Sequence, residues 1–92
     1  MGGRVAACFR VTGRVQGVGF RASTRMQARV LGLDGSAKNL GDGSVEVRVA
    51  GASGAVEHMG EWLAHGPASA SVAQVERHSI EVDAVPHGFV VR

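Results

Sequence analysis

A chain of 92 residues has room for one domain and too little for two. Its composition, 45% hydrophobic and 20% charged, excludes a disordered segment and permits a single core without staples. The net charge of +2 is mildly basic. No Lys/Arg run is present that could track a nucleic-acid backbone, so no nucleic-acid partner is expected.

The lone cysteine, Cys8, cannot form an internal disulfide, and nothing suggests an oxidising compartment. No apolar run reaches the roughly 18–20 residues of a membrane span. Met1-Gly2-Gly3-Arg4 lacks a signal-peptide build, and Ala6 stands where a myristoylation pattern needs Ser or Thr. The expectation is one domain over 1–92, cytoplasmic, monomeric and without a membrane partner.

Val5, Ala7, Phe9 and Val11 alternate with Ala6, Cys8, Arg10 and Thr12. That period of two predicts a half-buried strand. Phe20 to about Gly32 is predicted helical, with Phe20, Thr24, Ala28 and Leu31 on one face, Gln27 interrupting it and Gly32 capping its end. Gly35–Leu40 and Ser44–Ala50 read as two strands joined at Gly41-Asp42-Gly43, with Val45, Val47 and Val49 inward and Glu46 and Arg48 outward. A second helix is predicted from about Gly54 to His65, with Ser53 as N-cap and Gly66-Pro67 as its stop. Val56, Met59 and Leu63 form its apolar face, and Trp62 lies off that face as a partial cover. A fourth strand falls within Val72–Val82. Pro86-His87-Gly88 then turns the chain into a short last strand, Phe89–Arg92. The order β-α-β-β-α-β plus a short strand predicts an α+β, ferredoxin-like split βαβ sandwich, two helices on one face of an antiparallel sheet.

The stretch that carries chemistry is Gly13-Arg14-Val15-Gln16-Gly17-Val18-Gly19-Phe20-Arg21. Glycines at 13, 17 and 19 allow a sharp turn and a close approach to a ligand. A loop opening onto a helix N-terminus presents unpaired N–H groups to an anion. Arg21, in the first turn, opposes the helix dipole at a cost of about 0.3–1 kcal/mol, and Arg14 and Arg25 add to the same positive corner. A bound phosphoryl group would offset that charge, and a guanidinium fork suits its oxygens. Asn39, just before the hairpin turn, carries both a donor and an acceptor with which to hold a water, although a turn asparagine is the commoner role. His58, His65, His78 and His87 show no metal-ligand spacing, and Cys8 reads as packing.

Gly17-Val18-Gly19-Phe20-Arg21-Ala22 also fits the dinucleotide pattern G-x-G-x-x-A. That motif needs a parallel βαβ unit with an acidic residue about 20 positions on, whereas here a hairpin follows the helix.

The segment 13–21 resembles the first acylphosphatase signature, G-x-V-Q-G-V-x-F-R, at every fixed position. Lys38-Asn39-Leu40-Gly41-Asp42-Gly43-Ser44-Val45-Glu46 is similar to the second. Leu31-Gly32-Leu33, Gly66-Pro67 and the Gly88-Phe89-Val90-Val91-Arg92 ending also match, so the resemblance spans about residues 5 to 92. It implies a ferredoxin-like fold and hydrolysis of small acyl phosphates to a carboxylate and inorganic phosphate, with no cofactor and no metal. It further implies Arg21 and Asn39 as the catalytic pair. The main chain of Arg14, Val15, Gln16, Gly17, Val18, Gly19 and Phe20 would hold the phosphate. The departures are Ser36 for a frequent aromatic, Ala37 for valine, Lys38 for arginine and Ala68 for proline.

Two other readings stand beside it. A base-stacking RNA module would need a cluster of sheet aromatics, and only Phe9, Phe20, Trp62 and Phe89 are aromatic. A small regulatory domain could hold an anion without chemistry.

Overall fold

The computed structural model describes residues 3–92; Met1 and Gly2, whose lack of targeting patterns was noted above, lie outside the described residues. The first strand, β1 (Arg4–Arg14), is the spine of the sheet. Ala7, Phe9 and Val11 on one of its faces are buried, as the alternation predicts, whereas Val5 of the same set lies near the start of the strand and is exposed. The chain then passes through a glycine loop into helix α1 (Phe20–Val30), strands β2 (Asp34–Asn39) and β3 (Val45–Ala52), helix α2 (Ser53–His65) and strand β4 (Ser71–Ser79). A single 3-10 turn at Val82–Ala84 leads to β5 (Phe89–Val91).

The sheet order is β4-β1-β3-β2-β5. β3 lies between β1 and β2 and runs antiparallel to both, and β4 runs antiparallel to β1. β5 is the exception: it pairs with β2 in parallel, Ser36 opposite Val90. The sheet is therefore mixed, not wholly antiparallel as expected. The segment after β4 crosses the molecule to reach the far edge, so it arrives in the direction of β2.

Both helices cover one face. Phe20, Thr24 and Ala28 of α1 and Val56, Met59 and Leu63 of α2 are buried against Phe9, Val11, Val45, Val47 and Val49. Each large apolar side chain so removed from water contributes about 1.5–3 kcal/mol. Thr24 is fully buried, yet its hydroxyl donates to the Phe20 carbonyl at 2.7 Å, so no polar group is left unpaired there. Trp62 is half-buried, its ring 6.0 Å from that of Phe20, and it covers the seam between the helices.

Three local expectations differ. Ser53 is the first residue of α2, not its cap; Ala52 holds the cap position and no side chain closes that end. The fourth strand begins at Ser71, one residue before the expected span, and ends within that span at Ser79. β1 extends two residues beyond Thr12, across a register shift between Thr12 and Gly13. Gly13 makes that shift possible, because a Cβ there would lie 2.3 Å from the Ser71 carbonyl oxygen.

Candidate active site

The loop between β1 and α1 is anchored at both ends by core residues: Val15 and Phe20 are each 1% exposed. Between them Gly17 and Gly19 adopt φ of 77° and 74°, the left-handed region that side chains disfavour. Gly19 caps α1 without a side chain, and no acidic residue occupies the first turn. The leading N–H groups of the helix are thus not capped by the protein's own carboxylates or hydroxyls.

Over this helix end lies a cleft of about 160 Å³, lined by Val15, Gly17, Gly19, Phe20, Arg21, Ala22, Asn39 and Val91. Arg21 and Asn39, 18 positions apart in the sequence, meet here because β2 delivers Asn39 at its end while α1 starts beside it. Arg21 Nη1 donates to the main-chain oxygen of Arg92 at 2.6 Å, which leaves the rest of the guanidinium fork for a ligand. Asn39 Oδ1 is buried and has no hydrogen-bond partner. An orphaned acceptor of this kind costs roughly 1–3 kcal/mol unless a ligand or water satisfies it.

Not all residues of the expected phosphate loop line the cleft. Arg14 is the last residue of β1 and pairs with Ser71. The Val18 carbonyl faces away, accepting a hydrogen bond from Ser69 Oγ at 2.8 Å. The Gln16 side chain turns to the β2–β3 connection, donating to the Leu40 and Ser44 carbonyls at 2.9 Å each. The cleft gains two residues that sequence reasoning missed. Ala22 follows Arg21 in the helix and was within reach of a first-turn argument. Val91 is placed by the parallel pairing of β5 and had no local signal.

The connection that follows Asn39 is closed by its own polar groups. Leu40 N–H donates to the Ser44 carbonyl at 2.9 Å, and Asp42 Oδ1 accepts from both the Ser44 N–H and the Ser44 hydroxyl. Those bonds, with the adjoining Arg10 guanidinium, hold the Asp42 carboxyl far below the usual carboxylate range. Of the departures noted above, Ser36 and Ala37 are buried within β2, while Lys38 and Ala68 are exposed; none lines the cleft. Among the described residues no three His, Cys, Asp or Glu side chains gather in a metal-holding group, and no helix is long and apolar enough to cross a membrane.

A split βαβ sandwich with a glycine loop, a first-turn arginine and a strand-end asparagine around one cleft defines a small α+β protein with a candidate anion site. The family model for acylphosphatase matches residues 7–91, and the chain belongs to the acylphosphatase family. It is 54% identical over 71 residues to an acylphosphatase of Chromohalobacter salexigens, covering 77% of this chain and 79% of that one. Its fold is similar to that of an acylphosphatase from Coxiella burnetii, with a TM-score of 0.88 at 37% identity over 97% of this chain and 93% of that one. A Bacillus subtilis acylphosphatase superposes with a TM-score of 0.90 at 30% identity, over 96% and 98% of the two chains.

Proposed function

We propose that this chain, a single domain over 1–92, hydrolyses the carboxyl–phosphate bond of small acyl phosphates by in-line attack of a water held by Asn39 on a phosphoryl group held by Arg21 and the loop amides. One observation carries the reading. Arg21 and Asn39 line the same cleft as the glycine loop, and the Asn39 acceptor is buried without a partner.

The chemistry suits these groups. The leaving group is a carboxylate whose acid has a pKa near 4, judged by Asp and Glu, so it departs without a proton donor. What the protein must supply is placement and charge stabilisation, which dominate phosphoryl transfer. Uncapped N–H groups at the start of α1 and the free nitrogens of Arg21 face the non-bridging oxygens and stabilise charge as it develops. Asn39 Oδ1 accepts a hydrogen bond from water and turns its lone pair toward phosphorus. A phosphorus–oxygen bond forms to that water as the bond to the acyl oxygen breaks. Both water protons leave with the phosphate, so a dianionic substrate yields a carboxylate and dihydrogen phosphate. The proposal includes no cofactor or metal, a cytoplasmic location and a protein that works as a monomer, with inorganic phosphate as product and competitive ligand.

The test is phosphate release from benzoyl phosphate by the purified chain, with inhibition by inorganic phosphate. Measurable turnover with competitive inhibition supports the reading. Phosphate binding without turnover leaves an anion-binding domain and ends it.

A further inference from the structure

We infer that the side chain of Gln16 is a positioning residue for this hydrolysis: its amide locks the turn that directly follows Asn39 to the loop that carries the phosphate-binding N–H groups. The inference rests on the water-placing role of Asn39 given above.

Gln16 reaches across 24 and 28 positions of sequence to the Leu40 and Ser44 carbonyls, 2.9 Å from each. A primary amide nitrogen has two protons, and here one goes to each acceptor. Leu40 immediately follows Asn39. At this end of the β2–β3 ladder the hydrogen bonding is lopsided. Leu40 N–H donates to the Ser44 carbonyl, but Ser44 N–H turns back to Asp42 Oδ1. The reciprocal rung is missing, and the Leu40 carbonyl keeps only a longer bond from Gly43 N–H, at 3.2 Å. Gln16 supplies the missing donor and also grips the Ser44 carbonyl. Its chain neighbours are Val15, fixed in the core, and Gly17, which lines the cleft. The loop that would hold phosphorus and the strand end that would hold water are therefore tied by one half-buried amide.

The separation between those two elements sets the distance and angle of attack. A displacement of about 1 Å at a reacting centre costs on the order of 100-fold in rate. Without the amide, Arg21 and the loop N–H groups stay where they are, while the turn after Asn39 keeps only its own hydrogen bonds and loses its tie to the loop.

The test uses the full chain with benzoyl phosphate as substrate, inorganic phosphate as inhibitor, and the variants Gln16→Met, Gln16→Asn and Asn39→Ala, singly and combined. Methionine keeps the length without the donor; asparagine keeps the amide but withdraws it by one methylene. The expected result for each Gln16 variant is a fall in kcat of about 10- to 100-fold, with the phosphate inhibition constant within about threefold of wild type. In the Asn39→Ala background the same substitutions should cost less than about threefold more, because residues that act as a unit do not add. A kcat within about threefold of wild type overturns the inference. So does phosphate affinity lost in step with kcat, an additive loss in the double variants, or failure of both Gln16 variants to fold. A wild-type chain inert toward benzoyl phosphate, or Asn39→Ala at full rate, instead removes the underlying reading and this one with it.

Discussion

Arg10 and Arg48 sit on the open face of the sheet, and both meet carboxylates. Arg10 contacts Asp42 and lies 3.3 Å from Glu76, and Arg48 is 3.2 Å from Glu46. Across that face the register lines up Glu76, Arg10, Glu46 and Lys38 in alternating sign on four neighbouring strands. At the start of α1 the arrangement is the reverse. Among the described residues no Asp or Glu side chain pairs with Arg21 or Arg25, and Arg21 leans on a main-chain oxygen of Arg92. A cation matched inside the fold is part of the scaffold. A cation held beside uncapped helix amides needs its counter-charge from outside.

That contrast breaks most sharply at Arg21. Arg21→Ala should lower benzoyl phosphate turnover by about 10³-fold or more and abolish inhibition by inorganic phosphate, with the fold intact by circular dichroism. Asn39→Ala should cost about 10²- to 10³-fold in kcat while phosphate inhibition stays nearly unchanged. Such a split would separate the water from the anion at two side chains of one cleft. On the paired side, Arg77 donates to Glu57 at 2.6 Å across an exposed contact. Arg77→Ala should shift unfolding stability by less than about 1 kcal/mol and leave turnover at the wild-type level.

The smallest effect concerns acid. The Asp42 carboxyl is held below its ordinary value first by the Ser44 hydroxyl, then by the Ser44 N–H and Arg10. A carboxyl whose folded value is depressed stabilises the fold above its unfolded value, near 3.8. That contribution fades as pH falls further and the group takes up its proton. Asp42→Asn should therefore lower stability at neutral pH, where the carboxylate's contribution is complete, and flatten the decline in stability between about pH 5 and pH 2, measured by urea unfolding at each pH.

Much of this was legible along the chain. Period-two alternation identified the buried face of β1, and helical spacing identified Val56, Met59 and Leu63, all fully buried. The glycines at 17 and 19 and the charge conflict at Arg21 mark in the sequence the loop that lines the cleft. Asn39 was weaker: on spacing alone it was a turn residue, and only the motif around it raised it to a candidate. Ser53 looked like a cap because serine favours that position, yet the chain enters α2 with Ala52 extended, at ψ 144°, and Ser53 is already helical.

What the sequence determined by itself was local: which residues of each element face inward, where glycine permits a left-handed turn, and which cation the helix dipole rejects. These follow from backbone sterics and from periodicities of two and 3.6, which act within a dozen residues. The tertiary structure decided how distant segments meet. Parallel docking of β5 on β2 brings Val91 to the cleft and the Arg92 carbonyl to Arg21, and the Gln16 amide finds the turn after Asn39. Such contacts join groups 24 to 71 positions apart. Their register is set by packing and hydrogen bonding between whole elements, which no single stretch of residues encodes.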